Sequence, residues 1–175
     1  GLPLPSTLAT VLDDNDQELP LGEVGEICIK GPQVMPRYWN RPDETAKVFT
    51  PDGWFRTGDM GFVDERGFFK ITDRKKDMIK TGGMNVSSVD VERVVYQFPG
   101  VLEVAVVGAP DPYWSEAVTA CVVVKPGQTI DADKVIAFCK EHLASFKVPK
   151  AVHVIDALPK DTQGKILKRE LRKQF

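Results

Sequence analysis

The chain has 175 residues, 42% of them apolar and 27% charged, and a net charge of −2. That is enough apolar material for one core or two small ones, and the charge balance excludes a global nucleic-acid footprint and a polybasic membrane arm. No apolar run approaches the roughly 20 residues of a membrane-spanning helix, and no signal-peptide pattern opens the sequence.

In chain order, TLATVLDDNDQELPLGEVGEICIKG predicts two short strands around a polar turn. RPDETAKVF places Pro42 in the first turn of a short helix, next to acidic residues that suit a helix N-terminus. WFRTGDMGFVDERGFFKITD alternates apolar with turn residues and predicts an antiparallel hairpin turning near Glu65, Arg66 and Gly67. Asp73-Arg74-Lys75-Lys76-Asp77 then sets five charges in a row, a run that is solvated, paired or a linker. Beyond it MIK predicts a short strand, and Ser87 with Asp90 resembles a capping box ahead of a helix whose Val91, Val94, Val95 and Phe98 share a face. Pro99-Gly100 ends that helix, VLEVAVVGAP and AVTACVVVKP predict buried strands, and Asp131 or Asp133 opens a second helix. VPKAVHVID predicts a last strand and ILKRELRKQ a short basic helix. Cys28, Cys121 and Cys139 fall inside these patterns without CxxC spacing, so buried reduced thiols in a cytosolic protein are expected. The fold class is α+β: a β-rich part over residues 1–72, a charged hinge at 73–76 and a small α/β domain over 77–175.

Few side chains suggest chemistry on their own. Thr57-Gly58-Asp59 is expected as a tight turn that sets an aspartate at the end of a hairpin. A fixed carboxylate there can accept two hydroxyl hydrogen bonds, as a ribose diol offers, although the triplet is also common turn chemistry. Arg74 reads as a solvated charge. Gly82-Gly83 permits close approach of backbone to a ligand or makes a turn before a helix, and composition favours the turn. Lys165 follows Gly164 ahead of a basic helix, one lysine among several.

Taken together, the order of these features from Trp54 to Glu92, WFRTGDMGFVDERGFFKITDRKKDMIKTGGMNVSSVDVE, resembles the signature of the adenylate-forming enzymes: acyl-CoA synthetases, peptide-synthetase adenylation domains and luciferases. The resemblance implies activation of a carboxylic acid by ATP and transfer of the acyl group to a thiol. It assigns Asp59 and Arg74 to the ribose of ATP and of the acyl-adenylate, and Lys76 to the pivot of a rotating C-terminal domain. It further assigns Gly82 and Gly83 to the passage of the CoA arm, and Lys165 to the lysine needed for adenylate formation. Trp114, Phe146 and Lys150 match positions flanking the CoA surface, with packing and surface exposure as equal alternatives. Two departures stand out. Asp73 replaces the usual glycine before the arginine, and Ser87, Ser88 and Asp90 replace an aromatic or His, Pro and Glu, so no catalytic role is carried onto them.

The stretches GEICIKGPQVM, YWNRPDET, DRKKDMI, FKVPK and GKILKREL are similar to bacterial long-chain fatty-acid–CoA ligases. That likeness implies fatty acid, ATP and CoA as substrates, Mg2+ accompanying ATP with no ligand in this chain, and a cytoplasmic enzyme with peripheral contact to the inner membrane. The family's phosphate loop and acyl tunnel are absent, and neither GxxxxGK[ST] nor GxGxxG after a strand replaces them. The chain therefore reads as a C-terminal portion, expected to be inactive without the N-terminal domain of the same enzyme. Strand edges in residues 1–72 leave a homodimer open. An aryl or short-chain acyl-CoA ligase, a ligase acting on a carrier-protein thiol, and a non-catalytic nucleotide-binding or interaction module are the alternatives.

Overall fold

In the computed structural model, which describes residues 1–175, strands β1 (Leu8–Leu12) and β2 (Gly25–Lys30) pair antiparallel. Their connection is nucleated by Asp13, whose Oδ1 accepts the backbone N–H groups of Asn15 and Gln17 at 2.8 Å. Helix α1 (Pro42–Val48) has its proline in the first turn, with Asp43 and Glu44 beside it and Lys47 in its last turn. Strands β3 (Phe55–Val63) and β4 (Phe69–Arg74) form the next hairpin. Asp64 closes it by accepting the N–H groups of Arg66 and Phe68 at 3.0 Å, so the turn falls at the expected place. The sheet order is β1-β2-β3-β4.

One expectation is corrected here. Thr57-Gly58-Asp59 is not a hairpin turn, because β3 runs through it. Glu26 faces Met60 and Cys28 faces Arg56, which leaves the triplet opposite Ile27 alone, as a bulge. Gly58 absorbs the extra length with φ at +73°, a conformation that L side chains rarely adopt. The Thr57 hydroxyl donates to the Ile27 carbonyl at 2.7 Å, so a side chain replaces a broken rung of the ladder.

The chain divides into two units, Gly1–Lys76 and Asp77–Phe175. Between β4 and the second unit's first strand, Lys75–Asp77 form a single 3-10 turn. The second unit contains β5 (Ile79–Thr81), β6 (Met84–Val86), α2 (Ser88–Val95), β7 (Val101–Asp111), β8 (Ser115–Val124), α3 (Ala132–His142), β9 (Ala151–Val154) and α4 (Lys168–Arg172). Ser87 caps α2, accepting from the N–H of Asp90 at 3.3 Å, and Asp131 caps α3, accepting from the N–H of Asp133 at 3.0 Å. The sheet order is β6-β5-β8-β7, and every pairing is antiparallel except β8 with β9. A parallel pair requires a crossover, and α3 supplies it.

The unbroken apolar character of β7 and β8 follows from cover on both faces of the sheet. Val104, Val106, Val118, Ala120 and Val122 meet Val91 and Val95 of α2 and Val135 and Cys139 of α3. The alternate residues Ala105, Val107, Cys121 and Val123 meet Leu158 and Leu171. All three cysteines are free and buried, and burial raises each thiol to about 11. No helix is long and apolar enough to cross a membrane.

Candidate functional site

The bulge in β3 and the end of β4 lie side by side. Asp59 pairs with Arg74 in the strand register, and the Arg74 Nε donates to Asp59 Oδ1 at 2.8 Å. The carboxylate is a quarter exposed and the guanidinium about half, at 25% and 52%, so both keep hydrogen-bonding capacity toward a ligand. Asp73, buried at 6%, accepts the N–H of Arg74 at 2.7 Å and fixes the backbone from which the arginine projects. Beside them Gly58, Arg74, Lys75 and Lys76 line an open depression of about 380 Å³. This is a cationic hollow with one carboxylate held at its edge.

Beneath the bulge sits a buried acid that sequence reasoning missed. Glu26 is 4% exposed; its Oε1 accepts the N–H of Gly58 at 3.0 Å, and its Oε2 accepts Lys75 Nζ at 3.0 Å and lies 3.4 Å from Arg56 Nη1. Arg56 also pairs with Asp16, and Lys75 with Asp14 at 2.9 Å. Burial opposes the charge on Lys75, but its bonds to Asp14 and Glu26 outweigh it and the ammonium is raised above 10.5. An acid at an inward position of an apolar strand, as in GEICIK, was the signal that could have found it.

The remaining candidates lie in the second unit. Gly82 has φ at +54°, and a Cβ there would come within 2.9 Å of the Trp114 ring. Its N–H donates to the Trp114 carbonyl at 2.8 Å. Trp114 is held in turn by Asp111, which accepts its N–H at 2.8 Å, and Lys150 Nζ lies 4.6 Å from the centre of the indole. Gly82, Trp114 and Lys150 therefore form one cluster, with the adjacent Gly83 exposed and at φ +78°. Such a cation over an indole contributes about 0.5–1 kcal/mol at an exposed site. Phe146 packs against the apolar core instead of standing free. Ile136, Lys140, Leu143, Ser145, Val148, Pro149 and Lys150 line a second open hollow of about 490 Å³.

Lys165 is exposed in the turn before α4. Asp161 builds that turn, accepting the Lys165 N–H on Oδ1 at 2.9 Å while its own N–H reaches the Lys165 carbonyl at 2.9 Å. The backbone is fixed and the ammonium remains available, the arrangement needed for a cation that reaches a ligand. No group of three or more His, Cys, Asp or Glu side chains is placed to hold a metal ion.

Comparison with known proteins gives this geometry a context. Residues 1–39 match the AMP-binding enzyme family, and residues 90–165 match the AMP-binding enzyme C-terminal domain. A long-chain-fatty-acid–CoA ligase of Escherichia coli O6:H1 is 51% identical over 172 residues, covering 98% of this chain and 30% of that protein. A feruloyl-CoA synthase of an Amycolatopsis species is 45% identical over 175 residues, covering all of this chain and 35% of its own length. The crystal structure of ATP-bound MatB from Rhodopseudomonas palustris superposes with a TM-score of 0.94 at 43% identity, covering 99% of this chain and 35% of that one. The chain thus spans about a third of the length of the relatives it matches.

Proposed function

This chain belongs to the AMP-binding enzyme family, and from that we propose that it supplies the nucleotide-sugar contacts and the mobile C-terminal domain of an ATP-dependent acid–CoA ligase. The reaction has two steps. A carboxylate attacks the α-phosphate of ATP, giving acyl-AMP and pyrophosphate. The CoA thiol then attacks the acyl carbon, giving acyl-CoA and AMP, and the thiol proton leaves to solvent or base. The observation that carries this reading is the Asp59–Arg74 pair at 2.8 Å beside the cationic hollow. Asp59 accepts the two ribose hydroxyls, and Arg74 orients that carboxylate from 2.8 Å away.

Lys165 brings a point cation to the carboxylate and the α-phosphate while negative charge develops between them. Gly82 and Gly83, with no side chains to obstruct, let the CoA arm pass beside Trp114, while Lys150 offers a cation to its phosphates and Phe146 supports the surface from within. Lys76 is the pivot about which Asp77–Phe175 exchange roles between the two steps. Magnesium is proposed to travel with ATP, and no step here is assigned to it.

Long-chain fatty acids are the proposed substrates, on the likeness to the fatty-acid–CoA ligase, and the site is proposed to work only with an upstream domain that binds phosphates and acid. The test uses the protein carrying that upstream region, supplied with ATP, magnesium and acids from acetate to oleate and benzoate, with and without CoA. CoA-dependent AMP release with long acyl chains, largely lost in Lys165→Ala, is expected. Preference for an aryl or short acid would keep the mechanism and overturn the substrate, while turnover on a carrier-protein thiol alone would move it to the carrier-dependent branch. Absence of adenylate with every acid would leave a nucleotide-binding module.

A further inference from the structure

A pivot requires more than one flexible residue; something must stop the rotation from spreading along the chain. We propose that two ion-pair latches, Lys75 on Glu26 and Asp14 and Asp77 on Arg172, confine backbone rotation to Lys76. The role of rotation rests on the ligase reading above, but the latches are a property of the fold that can be tested without it.

Lys75–Asp77 form one short 3-10 turn, and its outer residues are tied down in opposite directions along the sequence. Lys75 Nζ reaches back to Glu26 at 3.0 Å, in the buried part of β2, and to Asp14 at 2.9 Å, in the β1–β2 connection. Glu26 cannot follow a moving lysine, because it also holds the Gly58 N–H and Arg56. On the other side Asp77 Oδ1 accepts Arg172 Nη2 at 2.9 Å, with the carboxylate only 15% exposed. Arg172 stands on α4, which is fixed by the fully buried Leu171 and by Lys168, whose Nζ lies 2.6 Å from both Glu92 and Ser88. Lys76, between the two, is exposed and lines the cationic hollow. Hinges absorb large φ/ψ changes in a few residues, and the anchored neighbours decide which.

The first latch has a second consequence. Arg74 immediately precedes Lys75, so a rotation that leaked past Lys75 would carry Arg74 away from Asp59. Lys75, Glu26 and Arg172 are therefore positioning residues, acting through Lys76 and Arg74 and not on the reacting atoms.

Backbone order parameters of the 175-residue chain test this directly by NMR. In the wild type, values of about 0.85 are expected through Lys75 and again from Asp77, with a dip at Lys76 alone. Lys75→Ala, at a site exposed enough to leave the fold intact, should lower the Arg74 and Lys75 amides below about 0.6, and Lys75→Arg should restore them. Arg172→Gln should lower Asp77 and Met78 instead, leaving Arg74 unchanged. In the ligase assay Lys75→Ala should raise KM for ATP several-fold, since Arg74 loosens, and Lys75→Arg should recover it. A wild-type dip spread over residues 74–78, or a Lys75→Ala chain as ordered at Arg74 as the wild type, would overturn the latches. Loss of the ligase reading would leave the order parameters untouched, so the two failures are distinguishable.

Discussion

The two units hold their candidate residues by opposite means. In Gly1–Lys76 the buried hydrophobic residues are Val11, Leu12, Ile27 and Cys28, and beside them Thr10, Glu26, Thr50 and Asp73 are buried as well. Asp59 and Arg74 consequently rest on hydrogen bonds and charge: the bulge hangs from Glu26, and Arg74 from Asp73. In Asp77–Phe175 two apolar clusters fill both faces of the β7–β8 sheet, and the Lys165 turn stands just ahead of a helix anchored by Leu171. Hydrophobic burial is non-directional and tolerant, whereas a buried carboxylate must find every one of its partners. The first unit therefore gains geometric definition at the edge that carries the Asp59–Arg74 pair, and the second gains a broad apolar core.

Substitutions can break that comparison. The largest expected effect is on chemistry: Lys165→Ala should lower adenylate formation by about 10²–10³-fold, the scale for losing one electrostatic contact to a transition state, with the melting temperature unchanged. A lower melting temperature would show that the lysine belongs to the scaffold. Next, Leu171→Ala should destabilise the second unit by about 3 kcal/mol, through lost burial and the cavity left behind, as read from urea midpoints. Glu26→Gln should cost the first unit about 2 kcal/mol, less than a fully enclosed pair because Arg56 and Lys75 reach solvent. The loss should track the Arg74 resonances and leave those of the second unit in place.

Smaller effects sharpen the same contrast. Thr81 is 2% exposed and its hydroxyl has no hydrogen-bond partner, so Thr81→Val should stabilise the second unit by about 1 kcal/mol. A destabilised variant would mean that the hydroxyl is satisfied in solution. The response to pH should also differ. Asp13 and Asp64 are held below 3.8, Asp13 chiefly by the Gln17 N–H and Asp64 chiefly by the Phe68 N–H, and Glu44 is held below 4.5 by Lys47. A lowered carboxylate contributes stability that is present above its unfolded value and disappears as pH falls through its folded one. Glu170 in the second unit is lowered as well, first by Lys173; because the first unit has the smaller apolar core beside such carboxylates, acid should loosen it before the second, as followed by amide exchange. Lys75 runs the other way: its contribution is present below 10.5 and is lost as pH rises through its raised folded value. Apolar-core loosening ahead of the first unit in acid would contradict the comparison.

Much of the local architecture was legible in the sequence because its causes are local. Pro42 starts α1, Asp64 turns the β3–β4 hairpin, and Ser87 and Asp131 cap their helices, each through atoms within a few residues. Strand β6 was missed, since Met84–Val86 is too short for a periodic signal and exists by pairing with β5. The Thr57-Gly58-Asp59 bulge was misread as a turn, because the strand that makes it a bulge is 30 residues away in sequence, as the Thr57–Ile27 bond records.

The sequence by itself determined the order of the longer elements, the two apolar helix faces and the residue types that carry the family likeness, because periodicity, capping and turn chemistry act between near neighbours. Tertiary structure alone decided that Asp59 meets Arg74, that Lys150 covers Trp114, and that Lys75 and Asp77 are latched on either side of Lys76. Those pairings depend on strand register and helix docking, where partners up to 95 residues apart are brought within hydrogen-bond reach by burial of a shared core.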